Sequence, residues 1–195
     1  MRHIFELAAR NTEEAWAVIR DLGIERAWQS IGAQVNLVGS LKTGLLCAHR
    51  DIDFHVYTPE LIVPDSFSAI AQLAANPAVK RVEYGNLIDT EEKCLEWHLW
   101  YQAPGGHLWQ IDMIHILQGS AYDGFAEKAA ARIAAVLTPE TREAILRIKY
   151  ETPEDEKVMG IEYYVAVLRD GVRTYPEFTQ WRKNNRIDYV ELWAP

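Results

Sequence analysis

The sequence predicts an α+β fold, in which a mixed β-sheet with flanking helices is followed by a C-terminal helical segment. Alternating polar and bulky residues, typical of strands, are concentrated before residue 117, whereas apolar residues beyond Gly119 recur at helical spacing. The chain has 195 residues, of which 49% are hydrophobic, so it can bury a substantial core. We therefore expect a sheet-bearing core over residues 1–117 and a helical segment over residues 118–195.

Helices and strands alternate in the first part of the chain. Asn11 or Thr12 can cap a helix that begins at Glu13-Glu14 and ends at Gly23, because an acidic first turn suits the helix dipole. The elements predicted next are a helical piece over 24–31, a short strand over 34–38, a strand over 51–57, a helix from 65 or 66 to 75 and a strand over 79–84.

An aromatic hairpin and several helices complete the predicted elements. Residues 95–102 and 107–116 flank Pro104-Gly105-Gly106, whose glycines allow a tight turn. The aromatic residues of this hairpin could stack a nucleobase, but packing is the favoured interpretation for Trp97, Trp100, Tyr101 and Trp109. Helices are predicted over 122–137, 139–150, 153–169 and 175–184, with Thr138 and Thr152 as caps and the acidic run from Glu151 to Glu156 as a solvated helix start.

Composition narrows the compartment and the partners. A net charge of −8 excludes a broad positive field, so nucleic acid is a disfavoured partner, although a local Lys and Arg cluster could hold one phosphate group. Cys47 and Cys94 lie among apolar neighbours without C-x-x-C spacing, so the sequence does not support a disulfide framework or a zinc site. The lack of a disulfide framework favours the cytoplasm as the compartment. No window approaches the roughly 20 apolar residues of a membrane span. The sequence leaves the oligomeric state open.

Two carboxylates one residue apart are the most informative feature. Asp51 and Asp53 point to the same face of their predicted strand, while Ile52 and Phe54 point into the core. Carboxylates this close repel each other unless a cation lies between them, and hard oxygen ligands suit magnesium. A third acid, Asp112, interrupts the apolar run WQIDMI. If its strand lies beside the first, three acids converge, which is enough for two cations. A buried ion pair with an Arg or His is the alternative for Asp112.

The turn before this strand supplies groups that can hold phosphate. Ser40 lies where a helix begins, so backbone N–H groups and the hydroxyl can bind phosphate oxygens there. Lys42 is the favoured neutraliser because it lies within the turn. The other candidates are Arg50, Lys80 and Arg81. The turn is not a Walker loop, since Leu follows Gly44. His55 shares the face of the two acids, but the histidines lack a metal-binding spacing, and hydrogen-bonded surface or core roles are favoured.

This pattern resembles the nucleotidyltransferase superfamily typified by DNA polymerase beta. The superfamily signature is a hydrophobic strand, Gly-Ser, a short helix, an acid-x-acid strand and a third acid on a later strand. It is matched here, over roughly residues 34–116, by Val38-Gly39-Ser40, Gly44, Asp51-Ile52-Asp53 and Asp112. Arg50 departs from the small polar residue of many members, which leaves a phosphate contact or a salt bridge with Asp51 as its role.

The resemblance implies a nucleotidyltransferase-like sheet and metal-dependent transfer of a nucleoside monophosphate from an NTP, expected to be ATP, to a hydroxyl of a small molecule. Asp51 and Asp53 would hold two Mg²⁺ ions, and Asp112 would help to hold one of them and accept the proton of the acceptor. Gly39, Ser40 and Lys42 would hold the β and γ phosphates. Two alternatives stay open: a non-catalytic nucleotide-binding or regulatory module of the same fold, and transfer to a protein or a tRNA end.

Overall fold

The computed structural model describes residues 2–185 and residue 195, which form a five-stranded sheet with helices on both faces. The described helices are α1 (Arg2–Leu22), α2 (Ile24–Gln29), α3 (Gly39–Thr43), α4 (Val63–Ala74), α5 (Phe125–Val136), α6 (Pro139–Glu151), α7 (Gly160–Tyr164) and α8 (Tyr175–Asn185). The described strands are β1 (Gln34–Leu37), β2 (Asp51–Thr58), β3 (Val79–Asn86), β4 (Cys94–Gln102) and β5 (Leu108–Leu117). The predicted α+β fold is confirmed.

The sheet is mixed and has the strand order β1-β2-β5-β4-β3. Strand β2 runs parallel to β5, whereas the other neighbouring strands are antiparallel. The predicted β4–β5 hairpin is present. Its turn needs a glycine, since Gly106 has a φ of +86° and its N–H donates to the carbonyl of Ala103. Because β5 lies between β2 and β4, two acidic segments far apart in the sequence become neighbours.

One face of the sheet carries the main core. Helices α1, α2 and α4 cover this face, and every second residue of the central strands packs against them. Three aromatic residues of the hairpin, Trp97, Tyr101 and Trp109, are buried here, which confirms the packing interpretation for them. Trp100 has the opposite orientation and is half-buried on the other face.

A second apolar cluster joins α5, α6, α7 and α8. Tyr163 and Phe178 stack within it, with ring centroids 4.9 Å apart. Helix α7 continues as a π-helical turn, Val165–Arg169, a feature that is frequent at functional sites. Through this cluster, α6 and α7 are held beside α3, where Tyr164 reaches Ser40.

The first helix is longer than predicted. It begins at Arg2. Asn11 does not cap a helix start, since it is buried inside this helix and donates its side-chain amide to the carbonyl of Cys47. The predicted helices over 122–137, 139–150 and 175–184 are confirmed, with shifts of up to three residues at their ends.

The predicted helix over 153–169 is wrong in its first half. Thr152 donates its hydroxyl back to the carbonyl of Ile148 and ends α6, and residues 153–159 form no helix before α7 begins at Gly160. Of the acidic run, Glu151 is the last residue of α6, the other acidic residues lie in a loop, and Glu156 pairs with Arg182 of α8. Among the described helices, none combines the length and the apolarity needed to cross a bilayer.

Candidate active site

Three carboxylates lie on one face of the sheet, on two adjacent strands. In the parallel pairing of β2 with β5, Asp53 lies opposite Asp112 and Asp51 lies opposite Gln110. Register partners project to the same side, and alternation places Asp51 and Asp53 on that side together. We call this side, which is opposite the main core, the carboxylate face. The arrangement of strands that the sequence required for the three acids to meet is present.

The turn before β2 holds Asp53 in place. Gly39 has a φ of +65°, and a Cβ added there would lie 1.9 Å from Asp53 Oδ2, so any side chain at this position collides with the carboxylate. The backbone N–H of Ser40 donates to the Asp53 side chain, and the N–H of Val38 donates to the Asp53 carbonyl at 2.9 Å. Because Gly39 has no side chain, the start of α3 can approach the Asp53 carboxylate closely enough for the Ser40 N–H to donate to it.

The electrostatics of the site favour a bound cation. Burial raises the pKa of Asp53 to about 7, and the charges of Asp51 and Asp112 act in the same direction. Lys149 and the Ser40 N–H act in the opposite direction and lower that pKa. Burial and the two neighbouring carboxylates thus disfavour an ionised Asp53, and a positive charge among the three acids would lower that cost.

Asp112 is held from two sides. His98 Nδ1 lies 2.6 Å from Asp112 Oδ1, and the Gln110 side-chain amide donates to both carboxylate oxygens at 2.9 and 3.2 Å. The His partner that the sequence left open as an alternative is therefore present. It does not remove Asp112 from the site, because the carboxylate still lines the cavity described below.

A lysine from the helical segment completes the Gly-Ser turn. Lys149 is only 5% exposed, and its Nζ donates to Ser40 Oγ at 2.7 Å and to the carbonyl of Leu45 at 3.1 Å. The hydroxyl of Tyr164 lies 3.2 Å from the same Ser40 Oγ. Within the described part of the chain, Lys149 forms no ion pair, so its charge is buried against neutral oxygens. An anionic ligand at this position would satisfy it.

Lys149 was not among the residues predicted from the sequence, although the sequence contains a signal for it. The residue lies in the apolar stripe of α6 with Ile145 and Ile148, where a charged side chain is out of place. His98 and Gln110 were also missed as partners of Asp112. They are recognisable only once the neighbours of β5 are known.

The other predicted cations occupy different positions. Lys42 is exposed. It lies two residues after the buried Ser40 in α3, so its side chain is rotated by roughly 200° around the helix axis from that of Ser40. Arg50 lines the cavity, and its buried Nε has no hydrogen-bond partner among the described residues, which also show no salt bridge between Arg50 and Asp51. At the edge of the sheet, Lys80 donates to the carbonyl of Pro77 and Arg81 lies over Trp100.

A cavity of about 570 Å³ opens between the carboxylate face and the helical segment. One wall contains two of the acids together with Gln110 and Arg50. The opposite wall contains Lys149 and residues of the loop over 154–159. Arg182 of α8 connects this loop to α7, because it pairs with Glu156 of the loop and with Glu162 of α7. The remaining residues that line the cavity include Ser40, His49, Gly160 and Tyr163.

The donor set fits magnesium that is completed by a nucleotide. In the described part of the chain, no three His, Cys, Asp or Glu side chains already surround one point, because Asp53 is turned to Ser40 and Asp112 to His98. Magnesium usually takes only one or two protein carboxylates and fills its other positions with water and phosphate oxygens. His55 contributes nothing here, since it contacts Tyr57 and Glu127 instead.

No protein-family model matches the sequence, and no curated protein matches it. Solved structures do share its fold. A cytoplasmic RNA terminal U-transferase matches 86% of this chain and 50% of its own, with 15% identity and a TM-score of 0.51. The Cid1 poly(U) polymerase bound to MgGTP matches 86% of this chain and 54% of its own, with 16% identity and a TM-score of 0.52. A chain of the GLD-2/RNP-8 complex matches 96% and 64%, with 11% identity and a TM-score of 0.55.

The chain therefore has a nucleotidyltransferase-like fold, as the Gly-Ser and Asp-x-Asp motif predicted. Its fold is similar to those of an RNA terminal U-transferase and a poly(U) polymerase, and the chain spans between half and two thirds of the length of the three structures. The expectation that nucleic acid is a disfavoured partner is wrong, because two of these structures are an RNA terminal U-transferase and a poly(U) polymerase. Net charge describes the whole surface and not the field inside one cleft.

Proposed function

We propose that the protein transfers a nucleoside monophosphate from an NTP to a hydroxyl group in a magnesium-dependent reaction. One observation carries this proposal: the buried Lys149 is hydrogen-bonded to Ser40 across the cavity from the carboxylates of Asp51 and Asp112. The site thus has a cationic half for a triphosphate and an anionic half for metal ions. A triphosphate with its metal ions is the ligand that neutralises both halves together.

Each half of the site has a role in this reaction. We assign Asp51 and Asp53 to hold two Mg²⁺ ions, which when bound would neutralise charge on the reacting phosphate. Gly39, Ser40 and Lys149 would hold the β and γ phosphates, with Lys149 taking the role first expected of Lys42. The acceptor oxygen attacks the α-phosphorus, the bond to the bridging oxygen breaks, and pyrophosphate leaves. Asp112 accepts the proton of the acceptor hydroxyl.

The 3′ hydroxyl of an RNA is our candidate acceptor, and ATP is the first nucleotide to test. The fold likeness to RNA-end enzymes supports this choice, and the three acids are compatible with any hydroxyl that reaches Asp112. We further propose that residues 1–117 carry the catalytic carboxylates and residues 118–195 supply the triphosphate lysine. The two free cysteines fit a reducing compartment such as the cytoplasm.

Pyrophosphate release tests the proposal. Wild-type protein is incubated with Mg²⁺, each NTP in turn and a short single-stranded RNA, with the same RNA blocked at its 3′ end as the acceptor control. We expect release that requires the free 3′ hydroxyl and is lost in Asp112→Asn, which keeps NTP binding. If the wild type binds NTP and RNA but never releases pyrophosphate, the non-catalytic nucleotide-binding alternative replaces the enzyme.

A further inference from the structure

Two rows of side chains extend from the carboxylates across the sheet to its edge strand β3. The strand registers place Asp51, Gln110, Trp100 and Arg81 in one row, and Asp53, Asp112, His98 and Glu83 in the next. Register partners project to the same side, so both rows lie on the carboxylate face. This face is therefore acidic at its centre, and toward β3 it carries the aromatic ring of Trp100 and the paired side chains of Arg81 and Glu83.

Trp100 differs from the other large aromatic residues of the hairpin. Trp97, Tyr101 and Trp109 are buried in the main core, whereas Trp100 is half-buried on the carboxylate face. The guanidinium of Arg81 lies 4.4 Å from the centre of its ring. Arg81 also pairs with Glu83, and its side chain is 61% exposed. Since a guanidinium has five N–H donors, the pair with Glu83 leaves donors available to a ligand.

We infer that Trp100 and Arg81 form an acceptor-binding surface for the 3′ end of a single-stranded RNA. This inference rests on the proposed function, because it concerns the acceptor of the same reaction. Neighbouring strands are about 4.8 Å apart, which puts Trp100 roughly 10 Å and Arg81 roughly 14 Å from the β2 carboxylates. A nucleotide next to the reacting one reaches this distance. The surface is continuous with the site through Gln110, which contacts Asp112.

The chemistry of the pair suits RNA. Unpaired RNA bases stack on aromatic rings and on arginine planes, so the layered Trp100 and Arg81 present a platform of the right kind. Such stacking tolerates any base, because every base has a π-face. The remaining guanidinium donors can hold a backbone phosphate. A neutral small molecule would use the ring but not the exposed cation.

Binding of a 5′-labelled, short single-stranded RNA without NTP, measured by fluorescence anisotropy, tests this surface. We expect Trp100→Ala to weaken binding by roughly 5- to 100-fold and Trp100→Phe to retain most of it. Arg81→Ala should weaken binding and make it less salt-dependent, by about one unit of slope. Tyr84→Ala is the matched control. Tyr84 is also an edge-strand aromatic residue with 37% exposure, but it stacks with Trp97 on the opposite face, so RNA binding should not change.

The outcomes separate this surface from the proposed function. If Trp100→Ala and Arg81→Ala bind RNA as the wild type does, or if the wild type binds no RNA, the acceptor surface is refuted. If RNA binding depends on Trp100 but no NTP yields pyrophosphate, the surface stands and the proposed function fails. Thermal unfolding of each variant checks folding, and Arg81→Ala, at an exposed position, supplies the test should Trp100→Ala not fold.

Discussion

Replacing Gly39 with alanine probes the contact on which the site is built. An alanine with a φ near +65° costs about 1–2 kcal/mol, because the left-handed region brings Cβ close to the carbonyl. Its Cβ would also meet Asp53 Oδ2, so the carboxylate must leave the Ser40 N–H. Losing a hydrogen bond to a charged group adds about 1.5–3 kcal/mol. We therefore expect Gly39→Ala to lower the free energy of unfolding by about 2.5–5 kcal/mol.

Gly32→Ala isolates the second contribution. Gly32 has a φ of +75°, and an added Cβ there would meet nothing within 4 Å. The loss in the free energy of unfolding of this variant therefore comes only from the unfavourable backbone conformation. For a chain of this size, the melting temperature should fall by roughly 5–20 °C in Gly39→Ala and by roughly 2–8 °C in Gly32→Ala. Differential scanning calorimetry measures both. An NTP titration of the same samples should show that only Gly39→Ala loses affinity.

Equal destabilisation of the two variants, together with unchanged NTP affinity in Gly39→Ala, would refute this reasoning. It would mean that α3 and β2 can separate without consequence and that Asp53 does not depend on the Gly-Ser turn. A loss of NTP binding in Gly32→Ala would also contradict it, since Gly32 lies before β1 and away from the cavity lining.

Three further predictions concern single side chains. Lys149→Met should weaken NTP binding in calorimetry by roughly 10- to 100-fold, because it removes the buried cation that we assign to the triphosphate, whereas Lys42→Met should leave NTP binding unchanged. His98→Ala should slow single-turnover transfer by roughly 10- to 100-fold while the NTP dissociation constant stays constant, since His98 orients Asp112 and does not touch the triphosphate in this account. Burial lowers the pKa of His115 to about 4, so the unfolded chain binds the extra proton between that value and 6.5. The free energy of unfolding of the wild type relative to that of His115→Gln should therefore fall by about 3 kcal/mol as the pH drops from 6.5 to 4, and denaturant titrations of both proteins measure this difference, in which the other titrating groups cancel.

The central pairing of the site was predictable because it depends on local patterns. Alternation along β2 fixed the orientation of Asp51 and Asp53, and the isolated Asp112 in an apolar strand pointed to a partner. Both inferences need only the residue pattern of a single strand.

The remaining parts of the site depend on contacts between distant segments. Lys149 lies 109 residues from the hydroxyl that it contacts, and no spacing rule connects the two. Lys42 was favoured by its position in the turn, but helical geometry turns it away from Ser40. Asn11 and Thr152 were both interpreted as caps of a following helix. Their side chains instead bond to carbonyls of Cys47 and Ile148.

The partner was predicted from a global property, and that is why the prediction failed. A net charge of −8 is the sum of all charges of the chain and does not describe how they are distributed over the surface. The proposed ligand contacts involve a few cations at particular positions. Lys149 is buried beside Ser40, Arg50 lines the cavity, and Arg81 lies at the sheet edge. Binding of an RNA end depends on such local groups and on stacking more than on the total charge.

Calorimetric titration of ATP, and then of the other NTPs, into wild-type protein and Asp53→Asn tests the central claim most directly. The asparagine keeps the size of the side chain and an acceptor for the Ser40 N–H but removes the negative charge. We predict that the wild type binds an NTP much more tightly with Mg²⁺ than with a chelator, and that Asp53→Asn loses this difference. Equal, magnesium-independent binding by both proteins, or no binding by either, would contradict the account.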